Sequence, residues 1–486
     1  MTAHILAIVS ATLLMATGGD ARIVLDPETG LNRYHSAPRP SGVLAYASST
    51  ANDISPEAFA RVETLLAEIG PNPDGAVYSD RLEGLRRRIR RAYAVGEDVD
   101  IVFAPSGTDL EYVALACAAG RGAEGTHNIL LGADEVGSGC IHSAHGRYFA
   151  HETALGLAVR PGDPVPDVGE THVEMVDVPV RDPDGRAHPS AEIAARMDAA
   201  IGAAEAAGRH VLVHVVHGSK TGLILPSLAD MDALRARHGP AVTFVVDACQ
   251  GRITSPAIAD YLARDSIVFI TGSKFMGGPP FSGFALVPRR FRASSAPLAP
   301  GLATVFRRGE WPPAWPGAEA LENSANPGLL LRLEAAIFEL ERFQSLALAE
   351  VERVILSFHQ AVRDEIIEKT PARRVAPYPP GEKETADTHP IEMRTLSTLD
   401  LSDYAGGGAS FEDATRWHQA MIAEGVRLGQ PVKCVKLDDG RWGATLRIGL
   451  SMPMVVERAA LDDEALRRSF ADDMARIKRA LEVVAA

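Results

Sequence analysis

Apolar positions in this chain gather into short unbroken runs along its middle third. Ile101-Val102-Phe103, Asn128 to Leu131, Val211 to Val216, Val242 to Val246, Ser266 to Ile270 and Gly283 to Val287 alternate with Ala-rich stretches of helical period. Continuous apolar runs of this length predict buried strands, and strand–helix alternation predicts a mainly parallel sheet covered on both faces. Residues 56 to 95 have helical period, and their second half, Arg81 to Arg91, is rich in arginine. Residues 20 to 55 are rich in Gly, Pro, Ser and Asn and predict an irregular arm. Residues 291 to 328 are loop-like, and Trp311 to Pro316 holds too many prolines for a helix interior. Leu329 to Lys369 predicts one helix of roughly 40 residues, long against the usual helix, as a spine between two domains. Strand and helix signals return after the Pro-rich, charged stretch 370 to 390. The expected layout is an arm (1–55), a large α/β domain (56–328), a connecting helix (329–369) and a small α+β domain (370–486).

Composition narrows the classes. The chain has 486 residues, 46% hydrophobic and 23% charged, which excludes a disordered, collagenous or coiled-coil protein. A formal net charge of −14 with no long basic run disfavours nucleic-acid and anionic-membrane binding. Four cysteines lie far apart with no Cys-x-x-Cys pair, which argues against a disulfide framework or zinc ribbon and suits a reducing, cytoplasmic setting. The mostly apolar run Ile5 to Thr17 is too short to span a bilayer. No Lys or Arg precedes it, so a buried N-terminal helix or strand is expected, with a secretory signal as the alternative.

Three strand ends carry candidate chemistry. Lysine is scarce, and Lys274 stands in Thr271-Gly272-Ser273-Lys274-Phe275-Met276-Gly277-Gly278, directly after a buried run. Strand ends of α/β sheets are where ligands bind, and a desolvated lysine there can lose its proton and attack a carbonyl. Asp247 closes the run Val242 to Val246. A carboxylate there needs a partner, such as a protonated pyridine nitrogen, or else caps the following turn. Ser106-Gly107-Thr108 follows Ile101-Val102-Phe103 and opens a helix. Its N–H and hydroxyl groups suit a phosphate, while Thr108 and Glu111 also match a capping box.

A phosphate cradle, an acid for a ring nitrogen and a lysine for an aldehyde together describe a pyridoxal-phosphate site. In this set and order the chain resembles the fold-type-I pyridoxal-phosphate enzymes, nearest the class V aminotransferase and cysteine desulfurase group, over roughly residues 60 to 450. The resemblance implies a PLP-transferase-like large domain with a seven-stranded, mainly parallel sheet and a small α+β C-terminal domain. It also implies pyridoxal 5'-phosphate as cofactor, an amino acid as substrate and a homodimer with shared active sites. It assigns Gly107, Thr108, Thr271 and Ser273 to the phosphate and Asp247 to the pyridine nitrogen. Gln250, in an Asp-x-x-Gln pattern, would bond the ring hydroxyl, and Lys274 would form the Schiff base. Ser324 and Asn326 resemble the segment that reaches a neighbouring subunit's cofactor. Arg447, in Leu446-Arg447-Ile448-Gly449, would grip the substrate carboxylate, a task its bidentate fork suits. Ser219 and Thr221, after Val211 to Val216, would face the substrate or the ring edge; Lys220 between them ranks far behind Lys274 as Schiff-base lysine.

Three departures matter. Many members stack a His or aromatic on the ring, but Asp134 to Gly139 has no ring here, leaving His142 and His145 slightly later as candidates. The two histidines share a helix face, yet no third ligand is evident, so no metal site is expected. The residue before Lys274 is Ser273, where desulfurases usually have His, and the Gly406-Gly407-Gly408 loop holds no cysteine. The departures argue against a desulfurase of the usual kind; the resemblance implies transamination as the first reading, with a lyase and a non-enzymatic regulatory protein as alternatives.

Overall fold

The computed structural model describes residues 10–485 apart from 134, 138, 169–172, 384 and 386–388. The apolar runs become strands of one sheet: β1 Val99–Ala104, β2 Thr126–Leu131, β3 Val173–Val178, β4 His210–His217, β5 Ile224–Leu225, β6 Val242–Ala248, β7 Ile267–Thr271 and β8 Gly283–Pro288. The order is β1-β8-β7-β6-β4-β2-β3, with β5 beside β4. Neighbours from β7 to β3 pair in parallel; β8 lies antiparallel between β1 and β7. The expected mainly parallel seven-strand path is thus present. Strands β1, β4, β7 and β8 are buried along their whole length, as continuous apolar runs require. The edge strand β3 leaves Glu174 and Val176 exposed on one face and buries only Val178 at its end, so it has no unbroken apolar run to reveal it.

The helices α1 Pro56–Ile69 and α2 Gly75–Tyr93 start where side chains satisfy orphan N–H groups. Ser55 accepts from Ala58 N–H, and Asp74 accepts from Ala76 and Val77. Helix α3, Leu110–Ala118, follows β1 and is buried throughout. The spine predicted for 329–369 is corrected: it is two helices, α4 Pro327–Gln344 and α5 Leu348–Val362. Ala347 turns extended and its N–H donates to Glu350 Oε2 at 2.8 Å, which starts a new helix before the old period has ended. Apolar spacing continues across this break, so periodicity alone reads straight through it.

The C-terminal part holds the antiparallel strands Arg373–Val375, Leu396–Asp400 and Thr445–Gly449. Within the segment read as an irregular arm, Leu44–Tyr46 pairs in parallel with Val426–Leu428. A buried ion pair between Arg427 and Asp53, 3.0 Å, ties the same segments together. Residues 48 to 52 are thereby placed between the large sheet and the C-terminal part. Of the N-terminal apolar run, residues 5–9 lie outside the described residues; Ala11–Met15 is a short helix with Ala11 and Met15 buried. Among the described residues no helix is long and apolar enough to cross a membrane.

Candidate functional site

The carboxyl ends of the parallel strands share one edge of the sheet. A cavity of about 610 Å³ opens there. Gly107, Thr108, Asp247, Gln250, Ser273 and Lys274 line it from the sheet. Gln430 to Lys433 and Arg447 close it from the C-terminal part, and Arg22, Tyr34, Ser49 and Thr50 from the N-terminal segment.

Lys274 is held by its backbone. Asn52 Nδ2 donates to the carbonyls of Ser273 (3.0 Å) and Lys274 (2.6 Å), and the next residue's N–H, that of Phe275, donates to Gln250 O (3.1 Å). Burial, followed by nearby Arg447, lowers the Lys274 amine from 10.5 to about 8. A sizeable neutral fraction therefore exists near neutral pH. Asn52 has no local sequence signal; only the pairing of Leu44–Tyr46 with the C-terminal part brings it here.

Asp247 closes β6 opposite Val216 and Phe269. It accepts the Cys249 N–H at 2.9 Å, so the turn-capping reading holds while the residue also lines the cavity. Gln250 is fixed by Arg252, whose Nη1 donates to Gln250 Oε1 at 2.9 Å. Arg252 also donates to Thr395 and Ser48, joining this turn to the C-terminal part. Behind Asp247 lies Glu111, whose carboxyl is pushed well above the usual range by burial and then by Asp247. Its Oε2 is 3.3 Å from His214 Nε2, itself pushed down to about 3 by burial. This corrects the capping-box reading of Thr108 and Glu111. Glu111 points into the core, and Ser106 Oγ accepts from Asp109 N–H in its place.

Gly107 allows close approach in the cradle. A Cβ there would sit 2.9 Å from Thr271 Cγ2 and 3.2 Å from Cys249 Sγ, closer than side chains tolerate. Thr271 Oγ1 donates to Cys249 O at 2.6 Å and accepts from Ser273 Oγ at 3.3 Å, which links the two loops behind the cradle.

Ser219 lines the cavity, but its hydroxyl donates to Glu135 Oε2 at 2.6 Å. Thr221 Oγ1 donates to the same oxygen at 3.1 Å and accepts from Arg181 Nη2 at 2.7 Å. Arg181 Nε completes the cluster on Glu135 Oε1 at 2.7 Å. Glu135 is buried yet held below the usual carboxylate range because Arg181, Ser219 and Lys220 outweigh its desolvation. Sequence reading noted only that 134–139 lacks a ring; the cluster joins the ends of β2, β3 and β4 and has no linear signature. Asp134 and Ser138 lie outside the described residues.

Arg447 is buried and lines the cavity. Nε donates to Gln430 O (2.9 Å), Nη1 to Ser49 O (3.3 Å) and Lys220 O (3.1 Å), and Nη2 to Thr50 Oγ1 (3.1 Å). These bonds aim the fork and occupy much of it, so a carboxylate must displace some of them.

The remaining candidates stand outside this cavity. Asn326 caps α4 by accepting Leu329 N–H (3.1 Å), and its Nδ2 donates to Gly18 O (3.1 Å). Ser324 Oγ is buried with no hydrogen-bond partner among the described residues. His142 and His145 do not line the cavity, and no group of three metal-ligating side chains occurs among the described residues.

No protein-family model and no curated protein matches the chain. Solved structures do. A NifS-like protein from Rickettsia africae superposes with a TM-score of 0.56 at 12% identity, covering 91% of this chain and 99% of the other. The cysteine desulfurase CsdA from Escherichia coli gives 0.56 at 15%, covering 91% and 95%. Serine palmitoyltransferase from Sphingomonas wittichii gives 0.50 at 16%, covering 91% and 88%, and SPT is among the matches solved with PLP. The chain has the fold of the fold-type-I pyridoxal-phosphate enzymes.

Proposed function

We propose that this protein is a pyridoxal-phosphate-dependent enzyme acting on an amino acid. One observation carries the reading: Lys274, Asp247 and the Gly107-Thr108 turn, set far apart in sequence, line a single cavity together with Arg447. The residues fit the cofactor on physical grounds. A buried amine lowered to about 8 suits an aldehyde, a strand-end carboxylate suits a pyridinium, and a cradle that a Cβ would fill suits a phosphate. Bound pyridoxal phosphate supplies an aldehyde for amine exchange and a ring that absorbs carbanion charge. Lys274 engages the aldehyde and afterwards moves a proton at the substrate's α-carbon. Asp247 keeps the ring nitrogen charged. Gly107, Thr108, Thr271 and Ser273 anchor the phosphate, and Gln250 takes the ring hydroxyl. Arg447 orients the substrate carboxylate. Ser219 and Thr221 act through the wall they build with Glu135, and Ser324 and Asn326 serve a neighbouring subunit.

Transamination is our assignment within this class, taken from the class V resemblance; a lyase shares the same core residues. Desulfurase chemistry needs a reactive thiolate. Burial pushes Cys434 up to about 12, and Cys117, Cys140 and Cys249 are likewise raised by burial. All four cysteines are free, which suits a cytoplasmic protein, and the homodimer is assigned from the resemblance to the class V group. The test is borohydride trapping of added pyridoxal phosphate, with mass mapping of the modified peptide. Label on Lys274 is expected, and Lys274→Ala should lose about 10³-fold or more of turnover while still binding cofactor non-covalently. A fully active Lys274→Ala protein removes the reading. An amino-acid panel scored for keto acid, ammonia and carbon dioxide separates transamination from lyase chemistry.

A further inference from the structure

We propose that Arg22, carried in by the N-terminal arm, is the cation that closes the phosphate end of the cavity in its own chain. The inference rests on the pyridoxal-phosphate reading above. The cradle residues Gly107, Thr108, Thr271 and Ser273 are all uncharged, whereas a phosphate ester carries about −1.5 to −2 at pH 7. Enclosing that charge without a cation is costly.

Among the described residues five cationic side chains line the cavity: Arg22, Lys220, Lys274, Lys433 and Arg447. Lys274 is committed to the aldehyde. Arg447 is bonded to the Ser49, Lys220 and Gln430 carbonyls on the C-terminal side. Lys220 stands beside the Glu135 carboxylate, and Lys433 lies 5.4 Å over the Phe411 ring at the exposed rim. Arg22 shares neighbours with the cradle. Its guanidinium lies 5.3 Å from the Phe149 centroid and 4.8 Å from that of Phe281. Phe149 and Thr108 meet at Gly139, where a Cβ would stand 3.2 Å from Phe149 Cβ and 3.0 Å from Thr108 Cγ2. Phe281 follows the Lys274 loop, and Pro280 and Phe281 line the cavity with Arg22.

The guanidinium is aimed. Asp20 takes one edge, with Nε at 2.9 Å and Nη2 at 2.8 Å, and the guanidinium stands over the Phe149 and Phe281 rings. Arg22 and Tyr34 line the larger cavity and Asp20 does not. Asp109 and Tyr34 are the other titratable groups around it; the Tyr34 hydroxyl hydrogen-bonds the Arg22 side chain from the cavity wall, and the Asp109 carboxylate is occupied by the Ser106 hydroxyl at 2.6 Å. The arm itself is fixed. Arg332, buried in α4, donates to Met15 O (2.7 Å), Gly18 O (2.8 Å) and Phe281 O (2.7 Å). One side chain thus holds both the arm and a wall of the pocket. A fork held in this way loses little freedom on meeting an anion.

The test compares pyridoxal phosphate with pyridoxal, which lacks the phosphate, by equilibrium dialysis against wild type, Arg22→Gln and Arg22→Lys. Losing a charge-assisted bond predicts that R22Q weakens pyridoxal phosphate binding about ten- to a hundredfold, with pyridoxal little changed and R22K between the two. Equal weakening of both ligands, or an unchanged pyridoxal phosphate affinity, overturns the proposal. If neither variant folds, Arg22 is structural and the proposal also falls. If wild type binds neither ligand, the cofactor reading itself has failed.

Discussion

At the scale of single residues, burial decides which groups can react. Burial lowers the amine of the half-buried Lys274 to about 8, while the rim lysine Lys433 is exposed. Covalent labelling of Lys274 by an aldehyde needs the neutral amine, so its rate should rise with pH through a midpoint near 8. An exposed lysine would climb towards about 10.4. Rates of borohydride-trapped label on the Lys274 peptide, measured from pH 6 to 10, check this; a midpoint near the ordinary lysine value would show that the amine is solvated. Lysine scarcity and position already singled out Lys274 in the sequence. Its tether, Asn52, was illegible because its two bonds span more than 200 residues. Glu135 was illegible for the same reason: its partners Arg181, Ser219 and Thr221 arrive on other strands.

At the scale of elements, continuous apolar runs identified the buried strands, since a strand covered on both faces must be apolar throughout. The same signal fails for β3, whose exposed Glu174 and Val176 mark an edge, and for the α4–α5 break, where a backbone turn leaves the apolar spacing intact. The N-terminal arm is the element whose order rests most on one residue. Arg332 satisfies the Met15, Gly18 and Phe281 carbonyls from inside α4. Arg332→Met should therefore cost about 3–5 kcal/mol if the arm stays docked with those carbonyls unpaired. A smaller loss with rapid proteolysis near Gly18-Gly19 is expected if the arm releases. Urea midpoints and limited proteolysis read both; an unchanged midpoint with a protease-resistant arm would show that other contacts hold it.

At the scale of the whole molecule, the cavity is a junction of three segments: the edge of the large sheet, the Arg447 strand region and the N-terminal arm. Ile141, which lines it, keeps 41% of its surface exposed. Sedimentation equilibrium at micromolar concentration should give about twice the 51.8 kDa chain mass; a monomer throughout would remove the shared-site reading. The sequence by itself determined the sheet class, the strand ends and the three groups that sit on them, because each follows from a local pattern of apolar run and loop. Tertiary structure alone decided that Arg22, Asn52 and Glu135 surround them, that Thr108 and Glu111 part company, and that Asn326 faces its own arm. Those outcomes depend on which segments lie side by side after folding, and local hydrophobic period carries no information about that.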